Sequence, residues 1–416
     1  MGTSRSLLPV NWPRWHALAL LGVFILLMAG FWYVRGAPYL SDESFNFRQI
    51  SRLRQGDISM EPLMNVIPGY HALVALVLWA TGRTGLFTAR LISTLISAVL
   101  VLVFYLLALR VEARSALVRT LQFAFFPIIF PFFPLVYMDI LALMLVLLGF
   151  YLVLWKHYAL AGLAGILSLL ARTNNISWMV FLFVYILYEE YGFDWRAPFR
   201  RGSLPRFLRK TWVFWIGFAL FAVFLYLNKG IAIGDKSAQP LFKFEAGNVY
   251  FLLFLFLPLF LPFVLANGRR IGQLVWRKKW VILGMLLLFG VFLLTYHNTH
   301  PFNNVRPDYY VRNALLMNAD QSFAWKLVLF IPAAISLLSL GVTRLQQKSF
   351  YWLYPFTLLS LIPFWLVEPR YYFVPYSLFI VMQERRDGRL EWLDAGYNLA
   401  LALVLLFLVR NQVMFI

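Results

Sequence analysis

Apolar runs long enough to cross a bilayer recur along almost the whole chain. They lie near residues 17–34, 89–109, 119–134, 136–155, 211–227, 249–266, 280–296, 325–342, 351–367 and 397–410, with shorter runs at 66–80, 158–170, 176–188 and 371–382. A hydrocarbon core about 30 Å thick is spanned by a helix of about 20 apolar residues. No water is present there to bond the backbone, so such runs fold as helices. Composition agrees: 62% of residues are hydrophobic and 13% charged, against roughly 45–50% and 25% in soluble domains. The expected fold class is all-α, a polytopic integral membrane protein read as one domain over residues 1–416.

A net charge of +19 would suggest nucleic acid in a soluble chain. In a membrane protein it marks cytoplasmic loops, where Lys and Arg concentrate. There is no cysteine, which excludes disulfides and thiolate metal sites. Arg5 and Arg14 precede the first run, which has no small-residue cleavage site and reads as a retained helix. "MGTSRS" fits the loose myristoylation pattern, which reads as coincidence in a chain with many spans.

The loops "NGRRIGQLVWRKK" (267–279) and "RAPFRRGSLPRFLRK" (196–210) are strongly basic and are assigned to the cytoplasmic side. Alternation from these anchors works only if 66–80 is not a full span. Residues 35–88 therefore read as one long outer loop with interfacial helices. About thirteen spans result.

The same alternation gathers the polar motifs on the outer face: "SDESFNFRQ" (41–49), "YMD" (137–139), "ARTNN" (171–175), "GDKS" (234–237), "HNTHPFNN" (297–304) and "EPRYY" (368–372). Asp42 and Glu43 are adjacent, so on a helix they point about 100° apart and do not share a proton. One is suited to act as a general base in a partly apolar cleft. The other is left for a structural contact or a cation. Asp139 is a second acid that could meet the first.

Arg48, Arg90, Arg172, Lys236, Arg306, Arg312 and Arg370 are cations unexpected on an outer face. An anionic ligand would explain them, since guanidinium suits phosphate. Lipid headgroups are the expected partners of Arg48, Arg90 and Arg312, and a functional anion that of Lys236 and Arg370. His297 and His300 have no third ligand nearby, so no metal is assigned. Trp and Tyr side chains on this face could stack on sugar rings, and the sequence does not say which.

The segments "PYLSDESFNFRQ", "IPGYHA", "ARLISTL", "LLARTNNISW", "GDKSA", "HPFNNVRPDYY" and "EPRYYFVPY" run from residue 38 to 376. Together they resemble the glucosyltransferases that add the terminal α-1,2-linked glucose to the dolichol-linked oligosaccharide, members of the GT-C superfamily. The resemblance implies a GT-C-type fold with the catalytic acid in the first outer loop, on Asp42 with Glu43 beside it. Asp139 matches that superfamily's second outer acid. Two departures stand out. The eukaryotic family usually has His where this chain has Asn46. The text after "GDKSA" is "QPLFKFEAGN", without the family's His residues.

The implied activity is inverting transfer of a hexose, glucose by resemblance, from a polyprenyl phosphate to a lipid-linked oligosaccharide or other glycan. Asp42 and Glu43 are the catalytic candidates. Arg172, Lys236 and Arg370 are assigned to the donor phosphate, and Asp139, Asn174, Asn175, Asp235, His300 and Tyr371 to substrate. No cofactor is called for, and a divalent cation stays open. The expected partners are the polyprenyl-linked donor, a lipid-linked or cell-envelope glycan acceptor and membrane lipids, with no nucleic acid. The membrane is that of the endoplasmic reticulum in a eukaryote or the inner membrane in a bacterium, with the site on the lumenal or periplasmic side. Two alternatives remain: transfer of mannose or a similar sugar onto a bacterial envelope glycan, and a multi-span transporter or flippase.

Overall fold

A computed structural model describes residues 14–415 except 63, 195, 198–199, 201, 234–235 and 237–242. The N-terminal myristoylation-like motif and Asp235 lie outside the described residues. The chain divides into two compact units, Met1–Ala124 with Phe132–Leu227, and Phe125–Pro131 with Asn228–Ile416. Among the described residues the structure is helical, with two isolated β-bridges and no sheet.

The first unit holds α1 (Arg14–Val34), α2 (Glu43–Arg54), α3 (Gly69–Ala80), α4 (Leu86–Val111), α5 (Ala116–Ala124), α6 (Met138–Leu154), α7 (Tyr158–Ala171), α8 (Ile176–Tyr191) and α9 (Ser203–Asn228). Helix α6 is its centre and packs on α4 and α7. Nearly every α6 side chain is buried, because the helix is apolar on all sides. Small residues bring these helices close. A Cβ on Gly149 of α6 would meet Leu182 of α8 at 2.8 Å, and one on Gly162 of α7 would meet Val213 of α9 at 2.9 Å. Membrane helices use such residues to gain packing contact where lipid offers no hydrophobic drive. Residues 35–88 contain α2 and α3, which pack on each other over a cluster including Ile50, Tyr70, Val74 and Leu141.

The second unit holds α10 (Gly247–Leu259), α11 (Leu261–Arg277), α12 (Trp280–Thr295), α13 (Val311–Gln321), α14 (Phe323–Val342), α15 (Leu353–Leu361), α16 (Phe373–Met382) and α17 (Gly388–Arg410). Helix α14 packs on α10, α11 and α13. An apolar cleft of about 450 Å³, lined in part by Tyr250, Leu253, Phe330, Leu337 and Leu358, lies among α10, α12, α14 and α15.

Two expected spans take another form. The run 119–134 is not one helix: α5 ends at Ala124, and Pro127, Pro131 and Pro134 follow. A proline cannot donate to the helical ladder and clashes with the preceding turn. The run 249–266 is broken at Phe260, where α10 and α11 meet at a bend of 98°. Pro258 lies in the last turn of α10 and Pro262 in the first turn of α11. Phe256, Phe260, Phe263, Tyr376 and Phe379 pack their rings around this corner. The basic segment 267–279 is thus mostly helix. Phe263, Val264 and Asn267 are buried, while Arg269, Arg270 and Arg277 are exposed.

Among the described residues, five helices are long and apolar enough to cross a membrane: α1, α4, α9, α14 and α17. The bent pair makes a sixth if counted as one span, and α3, α6, α7 and α12 are shorter apolar helices. The protein is accordingly a helical, multi-pass membrane protein.

Candidate active site

Beyond α1 the chain runs extended, turns at Ser41, a non-glycine residue at φ 54°, and enters α2 at Asp42. Arg90 of α4 shapes this stretch. Its guanidinium donates to the carbonyls of Val34 (2.9 Å), Ala37 (2.8 Å) and Pro38 (2.9 Å), and more weakly to Arg35 (3.4 Å). It also grips both oxygens of Glu43, from Nε at 2.9 Å and Nη2 at 2.5 Å. Both side chains are fully buried. The Glu43 carboxylate takes two further bonds, from the backbone N–H of Leu40 (3.2 Å) and Val136 (3.1 Å). A buried pair is tolerable only when its remaining lone pairs and protons are satisfied in this way.

Asp42 has different surroundings. It is half-buried, and its carboxylate does not cap α2. Its backbone N–H donates to Tyr137 Oη (2.9 Å), which donates in turn to the Leu40 carbonyl (3.0 Å). The two acids therefore diverge, as adjacent helical positions must. Glu43 faces the protein interior and Asp42 stays at the edge.

Residues 136–139 tie this loop to a second polar group. Val136 bonds Glu43, Tyr137 bonds Asp42, and Asp139, in the first turn of α6, forms an ion pair with Arg172 at the end of α7. Four of the expected site residues, Asp42, Glu43, Asp139 and Arg172, are thus linked through one short segment. Asn174 and Asn175 follow Arg172 in a single 3₁₀ turn. The carboxamide oxygen of Asn174 is buried with no hydrogen-bond donor among the described residues. Asn175 is buried and reaches the Ser168 carbonyl at 3.5 Å.

Asn46 lies one turn beyond Asp42, and its side chain is buried and bonded at both ends. Its Nδ2 donates to the Val136 carbonyl (2.9 Å), and its Oδ1 pairs with His71 Nε2 (3.0 Å).

The second unit has its own polar centre. Glu368 lies between two arginines, with Arg312 Nη1 at 2.5 Å and Arg370 Nε at 3.0 Å. Two guanidiniums on one buried carboxylate leave an excess of one positive charge. Neither Arg90 nor Arg312 meets headgroups as expected: both are buried on a glutamate, because each finds a carboxylate on another element. Arg48 is half-exposed and pairs with Glu61.

Buried asparagines hold the turn that carries Glu368. Asn248 bridges the carbonyls of Phe364 (3.0 Å) and Leu366 (2.8 Å) and accepts from Glu368 N–H and Tyr372 Oη. Burial pushes the Tyr372 hydroxyl well above the usual phenol range, so it remains a neutral donor. Asn303 pairs with both backbone groups of Val367 at 3.0 Å.

The remaining candidates are spread through this unit. Tyr371 follows Arg370, with its ring 5.2 Å from that of Phe364. His300 is buried, accepts at Nδ1 from Phe302 N–H and touches the Trp365 ring. His297 is exposed. The Lys236 ammonium bonds the Asn228 carbonyl at the end of α9. The sequence reading passed over Tyr137, Asn248, Asn303 and Trp365. The asparagines carried one signal, since uncharged polar residues beside apolar runs need partners.

A family model matches residues 37–381, from the Asp42 loop through α16. The chain belongs to the DIE2/ALG10 family. Similar curated proteins carry the name Dol-P-Glc:Glc(2)Man(9)GlcNAc(2)-PP-Dol alpha-1,2-glucosyltransferase. The chain is 23% identical to a human protein of that name over 414 residues, 86% of each chain. It is 30% identical to one from Drosophila melanogaster over 195 residues, 44% of this chain and 41% of the relative. It is 26% identical to one from Candida albicans over 259 residues, 57% of this chain and 55% of the relative. No solved structure matches. The region shared with the DIE2/ALG10 family contains Asp42, Glu43, Arg90, Asp139, Arg172, Arg312, Glu368 and Arg370.

Proposed function

We propose that the protein is an inverting glucosyltransferase of GT-C type, moving glucose from a polyprenyl phosphate to a glycan acceptor with formation of an α-1,2 linkage. Family membership supports the reaction class, and the names of the relatives support the donor and the linkage. The observation that carries the residue assignment is the split between the two acids. Glu43 is fully engaged by Arg90 and two backbone amides, whereas Asp42 is held by its backbone and keeps its carboxylate at the edge.

Asp42 is the base. It takes the proton from an acceptor hydroxyl, whose oxygen attacks the anomeric carbon. The bond from that carbon to the phosphate oxygen breaks, and polyprenyl phosphate leaves with the electron pair. Glu43 positions the base through the loop. Arg370, with Arg312, meets the donor phosphate, because their cluster carries positive charge in excess of Glu368. Arg172 and Lys236 remain secondary phosphate candidates, since each already has a partner. Asn174 offers a buried acceptor to a sugar hydroxyl. The apolar cleft beginning at Val249, next to Asn248, suits the donor's isoprenoid tail.

The proposal includes about thirteen membrane passes once shorter apolar helices are counted. It places the site on the lumenal or periplasmic side and includes an acceptor that is lipid-linked or part of the cell envelope. In the decisive experiment, purified protein is given synthetic polyprenyl-phosphate glucose or mannose with an oligosaccharide lipid. Glucose transfer is expected, and Asp42→Asn lowers kcat by about 10²–10⁴-fold. Full activity of Asp42→Asn removes Asp42 as the base, and transfer of mannose alone reassigns the donor.

A further inference from the structure

Trp365 sits on the turn that leads from α15 to Glu368 and is tied down on several sides. Its Nε1–H donates to Thr299 Oγ1 at 2.8 Å. The Lys243 ammonium lies over its ring, 3.5 Å from the centroid. The His300 ring meets it at 4.7 Å and 66°. The backbone beneath is also fixed, because Lys243 N–H donates to the Pro363 carbonyl and Glu245 N–H to that of Ile362. The indole remains only half-buried.

This is unlike a tryptophan of a membrane-interface belt. Belt residues project into the headgroup layer, as suits Trp276 at 85% exposure and Trp79 at 68%. Trp365 is instead a flat apolar surface held in one orientation and rimmed by an ammonium, a carboxylate and a hydroxyl, from Lys243, Glu245 and Thr299. A flat ring with hydrogen-bonding groups at its margin matches a pyranose, which presents C–H bonds on one face and hydroxyls around its edge. Phosphate fits less well here, since Lys243 already faces the ring and pairs with Glu245 at 3.2 Å. A lipid tail would leave the polar rim without partners.

We propose that Trp365 is a stacking platform for a sugar ring of the glycan acceptor, with Lys243, Glu245 and Thr299 reading its hydroxyls. This rests on the glycosyl-transfer reading above. Trp365 is then a binding residue for the acceptor, separate from the base Asp42.

The test compares wild type with Trp365→Leu, which keeps apolar bulk without a flat face, and Trp365→Phe, which restores a ring. Transfer is measured from polyprenyl-phosphate glucose to an oligosaccharide lipid ending in glucose. Trp365→Leu should raise the acceptor KM by about tenfold with the donor KM and saturating kcat unchanged, and Trp365→Phe should recover most of the loss. Saturation-transfer NMR with the same oligosaccharide freed of its lipid should mark glucose ring protons on wild type and lose them on Trp365→Leu. An unchanged acceptor KM in Trp365→Leu overturns the proposal, as does equal behaviour of Leu and Phe. Absence of transfer by wild type with sugar contacts intact in the NMR arm would defeat the proposed reaction and leave the platform standing.

Discussion

Arg90 donates to four main-chain carbonyls and to both oxygens of Glu43, all out of contact with water. Removing either partner leaves the other charge buried and uncompensated, a loss of about 3–5 kcal/mol. Arg90→Ala and Glu43→Ala should each show this in thermal unfolding of the purified protein. Replacing both with apolar residues, which rescues some buried pairs, should fail here, because the backbone groups bonded to them would still be orphaned. Stability near wild type in the double variant would refute that account. The importance of Asp42 and Glu43 was readable from their placement after an apolar run. Their division of labour was not, because Arg90 lies 47 positions away and nothing in the local sequence joins it to Glu43. Asn46 shows the same limit. It looked like a site for acceptor choice, and its side chain proves to be an internal brace between Val136 and His71.

Helix α3 meets α7 through a glycine at its first position. A Cβ on Gly69 would lie 2.5 Å from the Leu170 carbonyl oxygen and 2.8 Å from Leu170 Cβ. Backbone cannot rotate away as a side-chain tip can, so Gly69→Ala must push the two helices apart. An overpacking cost of about 1–3 kcal/mol is expected. Arg172 sits two residues beyond Leu170, so transfer activity should fall with stability. A Gly69→Ala protein with unchanged melting and activity would show that α3 has freedom to shift. Helices were the most legible elements, since long apolar runs leave the backbone no alternative. Their ends were less so. Pro258 and Pro262 turn a presumed straight span through 98°, and a cluster of prolines cuts the 119–134 run to a nine-residue helix. A window of hydropathy sees apolar character and is blind to the missing amide hydrogens of proline.

For the whole molecule, the absence of cysteine gives a clean background for mapping which parts face which side of the membrane. Asp57→Cys, in the exposed turn after α2, should react with a membrane-impermeant maleimide from the outer side. Arg269→Cys, on the exposed face of α11, should react only once the inner side is opened. Labelling of both from one side would undo the assignment of basic segments to the cytoplasm. The division into two compact units was not visible in the sequence, because no linker of distinct composition separates them. Spans and polar motifs look alike on either side of residue 228.

The Arg90 clamp also bears on how such an enzyme could change over time. Loops usually supply the freedom by which a catalyst takes on new substrates. Here the carbonyls of residues 34, 35, 37 and 38 are all committed to one guanidinium, so the segment leading to the base has little room to drift. A lineage that came to glycosylate a different molecule would have to keep this stretch fixed and make its changes elsewhere. Novelty in acceptor choice should therefore accumulate in residues that surround the base, while the geometry that presents Asp42 is inherited intact.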